Sequence, residues 1–262
     1  MKIGFVGFGN MAQAIINGLI ATGDYKAKDI MVSDVVKVET AIGVKWGTSN
    51  GEVATFADVL ILAVKPQQYK EVITEIKDVI DNKTIIVSIA AGLTILTLEE
   101  LFAKEVKLIR TMPNTPAQIG QGMTAIMPND IATKEDISAV CEIFDAVGKT
   151  QIVTEDLIEA VIVTSGSSPA YIYMMIEAMI EAGVKEGMDR DTASVFVCQA
   201  MLGACMMVSS TGLAPADLIK AVCSPNGTTI EAVNHLNEQN FNQILLDAMA
   251  ASSKRSRELS KL

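Results

Sequence analysis

The chain has 262 residues, half of them hydrophobic, 20% charged and 5% aromatic, with 21 basic against 31 acidic side chains and a formal charge of −10. Such a composition belongs to a globular protein with room for one large core or two; it excludes disordered and collagen-like chains, and its charge repels phosphate backbones, so no nucleic-acid partner is expected. A single histidine, His235, excludes His-rich metal centres and leaves any Ser-His-Asp triad dependent on one ring, so no metal is expected either.

Met1-Lys2 leads into an apolar run broken by Gly4, Gly7 and Gly9, which does not read as a signal peptide. Strand-forming runs fall at residues 2–6, 30–33, 59–64, 84–88, 108–112 and 124–127, with helix-length segments or loops between most of them. That alternation predicts βαβ units and a largely parallel sheet. The run at 59–64 is apolar at every position, as a mid-sheet strand buried on both faces should be.

Directly after the first run, Gly7-Phe8-Gly9-Asn10-Met11-Ala12 opens a helical pattern that continues through Leu19-Ile20. This is a G-x-G-x-x-A fingerprint between strand and helix. Gly7 allows the tight turn, Gly9 lets the backbone approach a pyrophosphate, and Ala12 permits close helix–strand packing, while the amides at the helix start face the phosphates. Residues 1–153 are therefore expected to form an α/β, Rossmann-like doubly wound domain that binds a dinucleotide. Asp34 closes the second strand, 27 positions after Gly7, where an acidic side chain accepts hydrogen bonds from the adenosine ribose. This favours NADH over NADPH. A 2′-phosphate 4 Å from Asp34 would meet a repulsion of about 4 kcal/mol per unit charge at an effective dielectric of 20, unless Lys37 turns in.

Beyond Val153 the strand signals stop. Helices are expected at 155–164, 168–185, 190–209, 215–222, 228–238 and 241–259, an all-α domain over residues 154–262 broken by Gly166, Gly187, Gly212 and Gly227. Several of these helices are apolar around most of their circumference and are expected to be buried, which a domain of about 110 residues achieves for two helices through a subunit interface, the alternative being an ordinary core packed against the first domain. A homodimer is expected. Cys141, Cys198, Cys205 and Cys223 show no C-x-x-C spacing and are expected to be buried, reduced thiols in a cytoplasm. No uninterrupted apolar stretch reaches 18 residues, so a soluble protein with no membrane partner is expected. His235 reads as a packed or solvated helical residue.

Six segments in order resemble the pyrroline-5-carboxylate reductase family nearly end to end: residues 7–12, Ala63-Val64-Lys65-Pro66, Ser88-Ile89-Ala90-Ala91-Gly92, Arg110-Thr111-Met112-Pro113-Asn114-Thr115-Pro116, Ser165-Gly166-Ser167-Ser168-Pro169-Ala170-Tyr171 and Ser224-Pro225-Asn226-Gly227-Thr228-Thr229. The resemblance implies hydride transfer from NAD(P)H to the cyclic imine of L-1-pyrroline-5-carboxylate, giving L-proline in the last step of proline biosynthesis. It implies a cofactor groove lined by Asn50, Ala63, Val64, Lys65 and Pro66, with Ala90 and Ala91 against the nicotinamide and Pro113, Asn114 and residues 165–167 near it. Lys65 is expected as a structural and cofactor contact rather than an acid.

The amides of Gly227 and Thr228, at a helix start, suit a substrate carboxylate. By resemblance Ser224 supports that carboxylate and Thr229 donates a hydrogen bond to the imine nitrogen, with Asn226 standing where the family most often has glycine. The family frequently uses NADPH, from which Asp34 departs, and assembles as dimers, often further into decamers. A 3-hydroxyacid dehydrogenase of similar plan would need a lysine four positions before an asparagine; residues 155–181 contain no lysine, and Lys185 precedes Asp189. A non-catalytic NAD(P) sensor and a reductase of a related cyclic imine stay open.

Overall fold

A computed structural model describes residues 1–38 and 43–260. Eight strands, β1 (Ile3–Val6), β2 (Ile30–Ser33), β3 (Lys45–Trp46), β4 (Val59–Leu62), β5 (Ile85–Ser88), β6 (Lys107–Met112), β7 (Gly122–Pro128) and β8 (Gly148–Ile152), form one sheet in the order β3-β2-β1-β4-β5-β6-β7-β8. Every neighbouring pair is parallel except β6 with β7. The run expected in mid-sheet is β4, between β1 and β5, and all four of its residues are buried.

Period-two alternation sorts each strand between two cores. Ile3, Phe5, Val59 and Ile61 point to one face, where α1 (Asn10–Thr22) and α5 (Lys134–Asp145) add Ile15, Ile16, Val140 and Phe144. Val6, Leu60 and Leu62 point to the other, covered by Val53 of α2 (Asn50–Phe56), Ile73 of α3 (Tyr69–Ile76) and Phe102 of α4 (Ile95–Phe102). A sheet covered on both sides explains why β1, β2, β4 and β5 are apolar runs, not alternating ones. The chain leaves β1 for β2 and β3, then returns to its other side at β4. That reversal is the topological switch point.

Two strands escape the hydrophobic pattern. β3 is two residues long, and β8, Gly-Lys-Thr-Gln-Ile at the sheet edge, is polar and largely exposed. The continuous helix expected at 155–164 is instead a 3₁₀ turn (Glu155–Leu157), α6 (Ile158–Val161) and a π-helical turn (Ile162–Gly166). The Ser167 amide bonds the Ile162 carbonyl at 2.8 Å, the i to i−5 spacing of a π turn.

The remaining helices are α7 (Ser168–Lys185), α8 (Arg190–Thr211), α9 (Pro215–Val222), α10 (Thr228–Glu238) and α11 (Phe241–Leu259). By packing, the chain divides into two compact units, Met1–Ser167 together with the chain from Ser252 onward, and Ser168–Ala251. The expected boundary at 153/154 lies just after β8 instead. Within the second unit Asp189 caps α8 by accepting the Thr192 amide at 2.9 Å, and Arg190 reaches back to Glu177 and Glu181 of α7.

Only Ile180, Ala193 and Val197, with Ile176 and Met201 beside them, form a buried cluster there. The all-round apolar helices are thus not buried within one chain: Met174 is 72% and Phe196 65% exposed. The cysteines depart from expectation for the same reason. Cys198 and Cys205 ride exposed on α8, and Cys141 and Cys223 are half-buried; all four are free thiols. Among the described residues α8 is the one helix long and apolar enough to cross a membrane, by length and composition alone. Its polar residues interrupt the apolar run, which is why no unbroken 18-residue stretch exists.

Candidate active site

The glycine loop is built by two backbone contacts. The Ala63 amide bonds Val6 O at 2.7 Å and the Gly7 amide bonds Ser33 O at 2.8 Å, so the ends of β1, β2 and β4 converge. Gly7 has φ +99°, and a Cβ there would sit 2.6 Å from Ala63 O, so both conformation and space demand glycine. A Cβ on Gly9 would meet nothing within 4 Å. Gly9 is the N-cap of α1, no side chain caps the helix, and its first turn carries no acid. The opening amides of α1 therefore face open space with positive partial charge, which suits a pyrophosphate.

This loop borders a cleft of about 400 Å³ lined by Gly7, Gly9, Asp34, Asn50, Ala63, Val64 and Lys65, all expected from sequence, together with Val6, Ser33, Val35, Gln68, Glu71, Val72 and Glu75. Asp34 is held at its rim. Its Oδ2 accepts the Phe8 amide at 2.7 Å and its Oδ1 the Val36 amide at 3.1 Å, leaving lone pairs free for a diol. Phe8 is buried edge-on against Trp46, ring centroids 5.2 Å apart, and the Lys37 ammonium lies 5.8 Å from the Trp46 ring centre.

Ser33 Oγ donates to Asn50 Oδ1 at 2.7 Å, and Asn50 Nδ2 donates to Glu75 Oε2 at 2.6 Å. Glu71 and Glu75 are one helical turn apart on α3, and that i, i+4 spacing was the available signal for a shared face. The cleft thus has the size, donors and acceptors for a dinucleotide. Among the described residues no cluster of His, Cys, Asp or Glu is arranged to hold a metal ion.

Other expected contacts lie outside this cleft. Asn10 is exposed and Met11 half-buried on α1, Ala12 is packed into the core, and Pro66 opens a 3₁₀ turn. Ala90 is buried in the second core with its amide on Ser88 Oγ at 3.3 Å, so only its backbone is available to a ligand, whereas Ala91 is exposed. Beneath them Tyr69 donates to Leu62 O at 2.7 Å and lies 3.0 Å from Ser88 Oγ, tying the ends of β4 and β5. Burial holds its phenol protonated far above the ordinary range. Pro113 is buried, and Asn114 clamps the next stretch: its Oδ1 accepts the Met123 amide at 2.9 Å and its Nδ2 donates to Ser165 O at 3.1 Å on the π turn. Arg110, 3% exposed, pairs with Glu155 at 2.6 Å, and Glu155 also accepts the Ile95 amide.

In the second unit the loop at 224–229 divides its labour differently from expectation. The left-handed residue is Asn226, φ +57°, which asparagine tolerates. Gly227 has ordinary φ; glycine is needed because a Cβ would overlap Ser224 Oγ. The Gly227 amide is spent on Ser224 O at 3.1 Å, so it closes the turn instead of facing a ligand. No side chain caps α10, which leaves the amides from Thr228 onward, beside a half-buried Thr229, as the anion-facing donors. Ser224 and Thr228 are exposed, as is His235 further along the helix.

Comparison with known proteins assigns both units. Residues 155–259 match the family model for pyrroline-5-carboxylate reductase dimerisation, and residues 2–92 that for coenzyme F420-dependent NADP oxidoreductases. The chain is 42% identical to pyrroline-5-carboxylate reductase of Escherichia coli, across 99% of this chain and 98% of that one, and 39% identical to the Arabidopsis thaliana protein of the same name, across 99% and 96%. Among solved structures, a Coxiella burnetii pyrroline-5-carboxylate reductase superposes with a TM-score of 0.93 at 36% identity, covering 100% of this chain and 99% of that one. The Plasmodium falciparum pyrroline carboxylate reductase with NADP bound superposes at 0.92 and 30% identity, covering 99% and 98%. Likeness of sequence and of structure along the whole length, together with a cleft fitted to a dinucleotide, establishes that this chain belongs to the pyrroline-5-carboxylate reductase family.

Proposed function

We propose that the chain reduces the cyclic imine of L-1-pyrroline-5-carboxylate to L-proline, with NAD(P)H as cofactor. The observation that carries this reading is the pair of long helices, α1 and α10, whose starts no side chain caps: one opens on a dinucleotide-sized cleft, the other stands beside Ser224 and Thr229. Residues 1–153 bind the cofactor, and residues 154–262 bind substrate and dimerise.

When bound, NAD(P)H supplies the hydride. The chain's own groups do the rest. The α10 amides and the Ser224 hydroxyl hold the substrate carboxylate, and the Thr229 hydroxyl donates a hydrogen bond to the imine nitrogen, which gains electron density as the C=N bond becomes C–N. Gly7, Gly9 and the α1 amides hold the pyrophosphate; Ala63, Val64 and Lys65 line the groove, and Asn114, through its hold on the π turn, positions the nicotinamide end. The ring imine accepts the Thr229 hydrogen bond in its neutral form, and the proton its nitrogen gains on reduction comes from solvent through the Thr229 hydroxyl, so the reaction needs no histidine.

Asp34, kept in place by two amides, favours the ribose diol of NADH, and Lys37 is engaged on the Trp46 ring instead of offsetting it. Exposed apolar faces on α7 and α8 support a homodimer. Four free thiols suit a reducing cytoplasm.

The test is the initial rate of NADH and of NADPH oxidation, each with and without L-1-pyrroline-5-carboxylate. Turnover that requires the imine is expected, faster with NADH at limiting cofactor. Tight cofactor binding with no turnover would sink the reductase reading.

A further inference from the structure

We propose that Glu75 is a specificity-determining residue that selects against 2′-phosphorylated dinucleotides by holding one of the two Asn50 N–H groups and so fixing the Asn50 carbonyl on the Ser33 hydroxyl. The inference rests on the reading of the β1/β4 cleft as the dinucleotide site. It begins from hydrogen-bond polarity. An ionised carboxylate only accepts, so the Asn50 group facing Glu75 must be its NH₂, at 2.6 Å. The Asn50 carbonyl then faces Ser33, whose hydroxyl must donate, at 2.7 Å. The Ser33 hydroxyl proton and one of the two Asn50 N–H protons therefore point along the chain Ser33 to Asn50 to Glu75, away from any ligand.

A 2′-phosphate needs donors, whereas a ribose diol brings its own and needs acceptors. Among the described residues the relay leaves the end of β2 with two carboxylates, Asp34, already holding the Phe8 and Val36 amides, and Glu75, against one remaining Asn50 N–H, while Lys37 lies over the Trp46 ring. The cation of the cleft, Lys65, follows β4, two strand spacings or about 10 Å from β2. Glu75 is exposed on α3, so its substitution leaves the core intact, and the Asn50 N–H it engages and the Ser33 hydroxyl behind it are otherwise of the type that binds phosphate.

The experiment is isothermal titration calorimetry of NADH and of NADPH, without substrate, into the wild-type chain, Glu75→Ala and Glu75→Gln, with thermal melts to confirm folding. The wild type is expected to bind NADH at least tenfold more tightly. Glu75→Ala, which frees the bound Asn50 N–H and lets the Asn50 amide turn away from Ser33, should narrow that ratio tenfold or more by tightening NADPH, with the NADH Kd within threefold of wild type. Glu75→Gln removes the charge but keeps a carbonyl that accepts from Asn50, so it should move the ratio by less than threefold.

Equal shifts in the two variants would overturn the relay in favour of bare charge, and no shift in Glu75→Ala would overturn it outright. A wild type that prefers NADPH also defeats this inference while leaving the reductase reading intact. Failure to reduce the imine would defeat that reading while the binding ratios still stand.

Discussion

Thr229 stands at the second position of α10, half-buried, beside amides that no side chain caps. Its proposed hydrogen bond strengthens as the imine nitrogen gains electron density, so the bond belongs more to the transition state than to the bound substrate. Thr229→Ala is expected to lower kcat/KM 10- to 100-fold, about 1.4–2.7 kcal/mol of transition-state stabilisation, with most of the loss in kcat. Steady-state kinetics on the purified variant read this directly, and unchanged constants would remove Thr229 from the chemistry. Features that follow from neighbours along the chain, such as the tight strand-to-helix turn at Gly7, are legible in the sequence itself. Glu75 is not, because its partner Asn50 is 25 positions away and only the fold brings them together. The 224–229 loop is legible as a turn into a helix, but not that the Gly227 amide, expected to face a carboxylate, closes onto Ser224 O instead.

Helix α5 shows how one element is fixed at both ends of its logic. Thr133 accepts the Asp136 amide at 3.3 Å and its own amide bonds the Asp136 carboxylate at 2.8 Å, a reciprocal cap, while Lys107 of β6 bonds the same carboxylate at 2.8 Å. Burial pushes the Asp136 carboxyl upward, but the bonds from Lys107 and Thr133 outweigh it and hold its pKa below the ordinary value. A depressed native pKa stabilises the fold fully above the unfolded carboxyl's pKa of about 3.9 and loses that contribution as pH falls through the lower native value. Urea midpoints between pH 7 and pH 3 should therefore drop below about pH 4, and Asp136→Asn should flatten part of that drop while costing about 1 kcal/mol at pH 7. An acid limb identical in the variant would count against the assignment.

Elements with a strong apolar period, β1, β4 and α7 through α11, could be read from sequence almost to the residue. The edge strand β8 could not, for its stability comes from pairing with β7 and not from burial. Nor could the π turn at Ile162–Gly166, which depends on one shifted backbone bond and which Asn114 engages from 51 positions away.

At the scale of the whole molecule, the second unit is the part that does not close on itself. Its buried cluster is small, and α7 and α8 present methionine, valine and phenylalanine to solvent, a larger apolar face than a lone chain keeps. Their all-round apolar pattern already pointed, in the sequence, to an interface with a second copy. Light scattering at micromolar concentration should give at least twice the 27.9 kDa of one chain. A mass of one chain would defeat the dimer. Because such an interface stabilises the folded state by mass action, the melting temperature should also rise with protein concentration.

The contact between Phe8 and Trp46 has an optical consequence. Trp46 is the only tryptophan in the chain, and its ring rests on the residue between the two glycines of the cofactor loop. The molecule thus carries its one indole behind the glycine loop that borders the cleft, with an emission that overlaps the absorption of reduced nicotinamide. Occupancy of the cleft is written into the protein's own light, with no label required.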